Sequence, residues 1–503
     1  MSKNSLFMFA FYQIFIDSRV MLFCDFIYFA LLLPITAFLY WKVIACRRFS
    51  LAIPILIIAS AVFYITWSWK FFLLLLGSAT TNFFVGRKLL STERNPFILL
   101  LGVLFNVSLL GYFKYFNFFI DNCNWLLGTH FQFAKIILPL GISFYTFQQI
   151  AYIVDAYKHE IQPCSFFTYV LFVIYFPQLV AGPIVHYQEM MPQFGFHKKV
   201  RWDLMWEGLF IFICGLFKKI IIADKLAVFV QQGYGNVDQI GFLGAWLLSL
   251  SYTFQLYFDF SGYADMAIGS GLFFGIRLPE NFNSPYKALD IQDFWRRWHI
   301  TLSTWLKNYI YIPLGGSHCT LLRTCINLFL TFFIGGIWHG AGWTFILWGT
   351  FHGLATVIHH LWRQTGLHLN KFFAWFITFN FVNFALIFFR AESVGDAEKM
   401  VKTMFNISWL KEIGNGWHAL THAALLRGTL FSSSQLRYNL KYCLVCLFIC
   451  LFLKNIRDQF SRFCKPSIIK IFFLIAVFWG TIAAIISRIC ENADRIDFLY
   501  WQF

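Results

Sequence analysis

The sequence predicts an all-α, multi-pass integral membrane protein of about 11 transmembrane helices, with further re-entrant or interfacial helices, because a span needs roughly 20 mostly apolar residues. Three observations predict it. First, 59% of the residues are hydrophobic and only 13% are charged, and the mean hydropathy is +0.63. Second, apolar runs recur near 22–41, 50–69, 71–86, 97–113, 134–157, 165–186, 204–223, 240–258, 321–339, 343–362, 372–389, 437–453 and 468–487. Third, Lys42, Arg47 and Arg48 follow the first run and Arg87, Lys88 and Arg94 the third, the alternation produced when basic loops stay cytoplasmic.

Taken in order, residues 1–20 lack a small-residue cleavage site and read as a dispensable N-terminal extension, with Met21 opening the first good span. Pro177 and Pro183 break the 165–186 run, which therefore reads as re-entrant. Basic loop anchoring accounts for the formal charge of +16, so nucleic acid is not an expected partner and membrane lipid is. The cysteines are scattered without metal-ligand spacing. Cys443, Cys446 and Cys450 share one helical face with no histidine or carboxylate in the same span, which favours packing over a metal site. No linker or repeat divides the chain, so residues 21–503 form one membrane domain, with a core over about 134–390 and C-terminal helices over 391–503. The polar gap 391–436 reads as one helix plus loops outside the hydrocarbon. Charges crowd instead at 252–316, where a polar cavity or a membrane-surface rim is expected.

Within that crowd stands "WRRWHITLSTWLKNYIYIPLGG" (295–316). Asp290 suits an N-cap with Asp293 at N3, and Asp293 lies four residues before Arg297, the favourable acid-before-base order. As one helix, Trp295, Trp298, Leu302 and Trp305 form an apolar seam, while Arg296, His299 and Ser303 form a polar stripe beside it. An interfacial helix with headgroup-level tryptophans explains much of this pattern, but not a histidine in the middle of the stripe.

A second histidine, His339, lies in "NLFLTFFIGGIWHGAGWTFILWGTFHG" (327–353), otherwise uncharged from Thr324 to Ile358. In a continuous helix Gly335, Gly336 and Gly342 flank it, either admitting a second helix or leaving room for a substrate. In a hairpin the turn falls at Gly340-Ala341-Gly342 and His339 sits at the tip. A buried imidazole tends to be neutral, which suits either an interhelical hydrogen bond or a general base. His352, His359 and His360 show that histidine is not rare in this region.

Together, "FWRRWHITLSTWLKNYIYIPLGGS" and "GGIWHGAGWTFILWGTFHG" resemble the signature of the membrane-bound O-acyltransferases. The likeness is to the bacterial branch that holds alginate O-acetyltransferase membrane subunits, peptidoglycan O-acetylation proteins and teichoic-acid D-alanylation proteins. "LPLGISFYTFQQIAYIVDAY" (138–157), "FPQLVAGPIVHYQEM" (176–190), "GLFKKIIIADKLA" (215–227), "YFDFSGYADMAIGSGLFFGIRLPENFNSPY" (257–286), "FFRAESVGDAEKM" (388–400) and the terminal "FLYWQF" agree, in order. The resemblance implies a ring of helices around a central funnel in the bacterial cytoplasmic (inner) membrane. It also implies that His339 of "WHG" is the essential histidine and His299 of "RWH" a second functional one. Arg296, Ser303, Trp298 and Trp338 are then the expected substrate contacts, with no metal and no bound cofactor.

The expected reaction is transfer of an acetyl group from a cytoplasmic thioester, acetyl-CoA or another acyl thioester, for O-acetylation of an extracytoplasmic polysaccharide or cell-wall glycan. An extracytoplasmic, esterase-like acetyltransferase is the expected partner. His339 acts either as base or as acyl carrier. The alternatives are D-alanyl transfer to teichoic acid from a carrier protein, a polysaccharide or acyl transporter without catalysis, and a structural anchor for secreted enzymes.

Overall fold

A computed structural model describes residues 21–91, 93–180, 182–194, 200–406, 430–456, 474–484 and 499. The expected extension 1–20, residues 407–429 of the expected polar gap and the flanks of the last expected span lie outside the described residues. Among the described residues there is helix and no strand. Five helices there are long and apolar enough to cross a membrane: Ile27–Ala45, Pro96–Leu127, Leu321–His339, Lys371–Arg390 and Ser433–Phe452. The chain divides into two compact units, one of Met1–Phe217, Ser261–Glu280 and Ile456–Gln502, the other chiefly of Lys218–Phe260 and Asn281–Asn455.

In the first unit, helices are joined by polar side chains that satisfy one another away from water. Ser78 donates to Gln149 Oε1 at 3.0 Å, Asn106 donates to Asn82 Oδ1 at 2.6 Å, and the Asn82 amide also reaches Gln149. Such bonds tie helices together where apolar contact gives no net drive. The 165–186 run is indeed broken. Ser165 caps a helix over Phe166–Ile174, about 14 Å long and so short of the roughly 30 Å hydrocarbon core. The backbone after it is irregular and buried. The amides of Gln148 and Gln178 both donate to the Phe172 carbonyl at 2.7 Å, serving an end carbonyl that has no partner in its own helix.

The second unit holds the two signature stretches. The hairpin alternative is the one adopted: Leu321–His339 and Trp343–Gln364 are separate helices, with extended backbone at Gly340 and Gly342. Gly336 and Gly349 set their spacing. A Cβ at Gly349 would lie 2.7 Å from the Phe332 carbonyl oxygen and 2.8 Å from Gly336 Cα, so only hydrogen fits there. Here Gly336 serves helix approach rather than substrate room.

The 295–316 stretch departs from expectation. Asp290 caps the helix Ile291–Arg297 through the Asp293 amide at 2.7 Å, and Arg297 pairs with Asp293 at 2.8 Å, both as the spacing predicts. The helix then stops. Trp298 is extended and His299 has φ 43°, ψ 54°, before a second helix runs over Ile300–Leu306. The seam Trp295–Trp298–Leu302–Trp305 and the stripe Arg296–His299–Ser303 therefore do not exist as single helical faces. Tertiary hydrogen bonds impose the break: Asn283 N donates to the Arg297 carbonyl at 2.9 Å, and Ile300 N to the Asn281 carbonyl at 3.0 Å.

The expected span 240–258 is also longer than its apolar run, for the helix continues over Phe242–Leu272. Asp259 does not end it because Lys219 Nζ lies 2.5 Å from that carboxylate and 2.9 Å from Asp224, all three side chains being buried.

Candidate functional site

His299 is wholly buried, and its geometry follows from the break. A left-handed backbone at a residue other than glycine costs about 1–3 kcal/mol and persists only where its surroundings enforce it. Asn281 does so. Its Oδ1 accepts from Thr301 N at 3.3 Å and Thr301 Oγ1 at 3.0 Å, which fixes the amide with oxygen inward. His299 Nδ1 lies 3.1 Å from that same oxygen and must therefore be the protonated nitrogen. Burial lowers the ring's pKa from 6.5 to about 3, so it is neutral and its lone pair is on Nε2. The edge of Phe260 packs on the ring at 4.8 Å.

His339 is the last residue of its helix and is also buried. Its ring is walled by Trp338 (centroids 5.0 Å apart), Trp348 (4.8 Å) and Phe389 (5.2 Å). Trp338 packs on His299 as well, at 6.4 Å, so one indole stands against both imidazoles. Four residues beyond His339, Trp343 is 57% exposed, which puts the ring at the end of a hairpin rather than in mid-span. Buried nitrogen bases walled by indole and phenyl rings can accept a proton from a hydroxyl or carry an acyl group.

Of the expected site residues, the structure brings His299, Trp338 and His339 together. The remaining three stand apart from that contact. Arg296 is exposed on the outer face of the Ile291–Arg297 helix. Trp298 is buried in an aromatic cluster, parallel to Phe294 and edge-on to Phe282. Ser303 donates to the Trp298 carbonyl at 3.4 Å and so closes the break.

Sequence reasoning passed over three participants. His352 is buried, lies 4.6 Å from Trp348, and accepts the Trp295 indole N–H at Nδ1 over 3.3 Å, so its proton must sit on Nε2 if the ring is neutral. Asn281, in "ENFNSPY", had no spacing signal at all. Lys219 was legible only as half of a basic pair beside an apolar run. Among the described residues no group of three or more His, Cys, Asp or Glu could hold a metal ion. Cys443, Cys446 and Cys450 are all buried along one face of the Ser433–Phe452 helix.

The profile of MBOAT, the membrane-bound O-acyltransferase family, matches residues 89–391, which include both histidines. The chain is 46% identical over 440 residues to a peptidoglycan O-acetyltransferase of Helicobacter pylori, covering 80% of this chain and 83% of that one. It is 40% identical over 400 residues to the Pseudomonas aeruginosa protein named "Probable alginate O-acetylase AlgI", covering 77% and 75% of the two chains. A teichoic acid D-alanyltransferase of Bacillus subtilis is more distant, at 28% over 282 residues, with 51% of this chain and 70% of the other covered. With more than half its length matched and two separate relatives aligned across most of it, the chain is a multi-pass acyltransferase of the membrane-bound O-acyltransferase family.

Proposed function

We propose that this acyltransferase resides in the bacterial inner membrane and moves an acetyl group from a cytoplasmic acyl thioester, acetyl-CoA or a related donor, to a hydroxyl destined for an extracytoplasmic glycan. Peptidoglycan is the first candidate glycan, on the strength of the 46% identical relative. The observation that carries the reading is the Trp338 indole packed against two buried imidazoles, His339 and His299. In the step proposed, the acceptor oxygen attacks the thioester carbonyl carbon while His339 takes the hydroxyl proton. The carbon–sulfur bond breaks, and the proton leaves with the thiolate as thiol. Such a base contributes about 10²–10⁴ in rate. His299, with Nδ1–H committed to Asn281, offers Nε2 as a hydrogen-bond acceptor that orients a reacting group. Ser303 and Trp298 act at one remove, by holding the break that presents His299, while Arg296 stands exposed outside it. An extracytoplasmic acetyltransferase partner completes delivery to the polymer.

The test is glycan O-acetyl content in cells carrying the wild type, His339→Ala or His299→Ala at matched expression. His339→Ala should remove acetylation by about 100-fold or more. Acetylation unchanged by that substitution would overturn the reading in favour of a transporter or an anchor. Loss of D-alanyl ester with acetyl intact would favour the D-alanyl alternative.

A further inference from the structure

Tyr252, Gln255 and Asp259 are spaced three and four apart on the Phe242–Leu272 helix and so share one face. Tyr252 is fully buried and Gln255 is 3% exposed, yet the Tyr252 hydroxyl and Gln255 Oε1 make no hydrogen bond among the described residues. The hydroxyl of Tyr234, on a ring 5.9 Å from Tyr252, is buried and without such a partner too. Over the Tyr234 ring, 5.1 Å from its centroid, lies the half-buried guanidinium of Arg390, for which no carboxylate partner stands among the described residues. Each polar group left this way costs about 1–3 kcal/mol, and phenylalanine or leucine would fill the same space without that cost. Three of them on neighbouring side chains, with an arginine lying over one, point to a ligand.

The place of the cluster fits substrate entry. Its outer end lies by exposed residues, where Lys399 pairs with Asp238 at 2.9 Å and Leu430 N donates to the Gln239 carbonyl. Its inner end adjoins the reacting histidine, since Phe389, next to Arg390, packs on the His339 ring. The chemistry selects the ligand class. A guanidinium only donates, an amide oxygen only accepts, and a phenol does either. An anion would suit the arginine and the phenols but not the amide oxygen. Four residues further along the same face, one lysine stands between two carboxylates, which disfavours an anion again. Sugar hydroxyls, which both donate and accept, satisfy the whole set.

We propose that Tyr234, Tyr252, Gln255 and Arg390 bind the hydroxyl-bearing acceptor, a sugar, and lead it to His339. The assignment rests on the acyl-transfer reading above and is tested separately from it. Binding is measured on the full chain in lipid nanodiscs, in the His339→Ala background so that no turnover occurs. The probe is soluble glycan-strand fragments from muramidase digestion of peptidoglycan. Tyr252→Phe and Tyr234→Phe should each weaken fragment binding at least 5-fold, and Arg390→Gln more, with affinity for the acetyl thioester within 2-fold. Because each tyrosine change removes an unsatisfied hydroxyl, the thermal midpoint should hold or rise. Fragment binding unchanged in both tyrosine variants, or absent from the parent protein, overturns the site. If His339→Ala instead keeps full acetylation in cells, the transfer reading falls while this binding result stands.

Discussion

His299 and His339 are both buried, one at a strained break between two short helices and the other at the end of a long one. At His299 the backbone is strained and irregular, and a single amide oxygen, that of Asn281, gathers the ring nitrogen, the Thr301 amide and the Thr301 hydroxyl. At His339 the backbone is ordinary helix, and Trp338, Trp348 and Phe389 pack on the ring at the end of a hairpin that glycines bring close. The difference teaches that hydrogen bonds at a backbone break fix a ring's tautomer and orientation, while aromatic side chains at a helix end wall a ring on several sides.

Breaking each device separately sharpens the contrast. The largest effect belongs to Gly349→Val, which drives a side chain into the Phe332 carbonyl and Gly336 Cα. It should destabilise the hairpin by about 3 kcal/mol and abolish activity together with folding, read as lost monodisperse protein in detergent. Monodisperse, active protein would show that the glycine contact does not set the His339 position. Asn281→Ala comes next. It removes the acceptor shared by two donors of Thr301 and the Nδ1–H of His299, and should cost about 1–3 kcal/mol in thermal stability. Transfer should fall through kcat with the donor KM kept. An unchanged kcat would mean that the His299 tautomer is irrelevant to the reaction. The smallest effect is expected of Arg296→Ala, which removes an exposed side chain. Stability should stay within about 0.5 kcal/mol and activity within about 2-fold, and a larger loss of activity would return Arg296 to the substrate contacts.

Much of this arrangement was legible beforehand because it is local. The Asp290 cap and the Asp293–Arg297 pair each depend on residues within a few positions of one another, as does the Gly340-Ala341-Gly342 turn, which the sequence offered beside a continuous helix. The break at Trp298–His299 was not legible, for the tryptophan spacing through it fits a continuous helix and no glycine or proline marks it. What wins there is a pair of backbone hydrogen bonds with Asn281 and Asn283, and no periodicity of 295–316 contains that information. The charges that crowd at 252–316 in sequence take separate partners. Within the second unit Asp259 belongs to Lys219 and Asp293 to Arg297, while Arg277, in the first unit, pairs with Glu207 at 3.2 Å. The family motifs pointed to His339 and His299 directly, whereas Asn281 and Trp348 could be found only once the rings they touch were placed.

The pairing of Lys219 with Asp259 also bears on how the protein is made. A carboxylate in the middle of an apolar segment resists transfer into lipid. Here the lysine that neutralises it is encoded forty positions earlier and leaves the ribosome first. By the time the segment around Asp259 meets the translocon, its counter-ion is already synthesised, so the two stretches are suited to entering the bilayer with that carboxylate already paired.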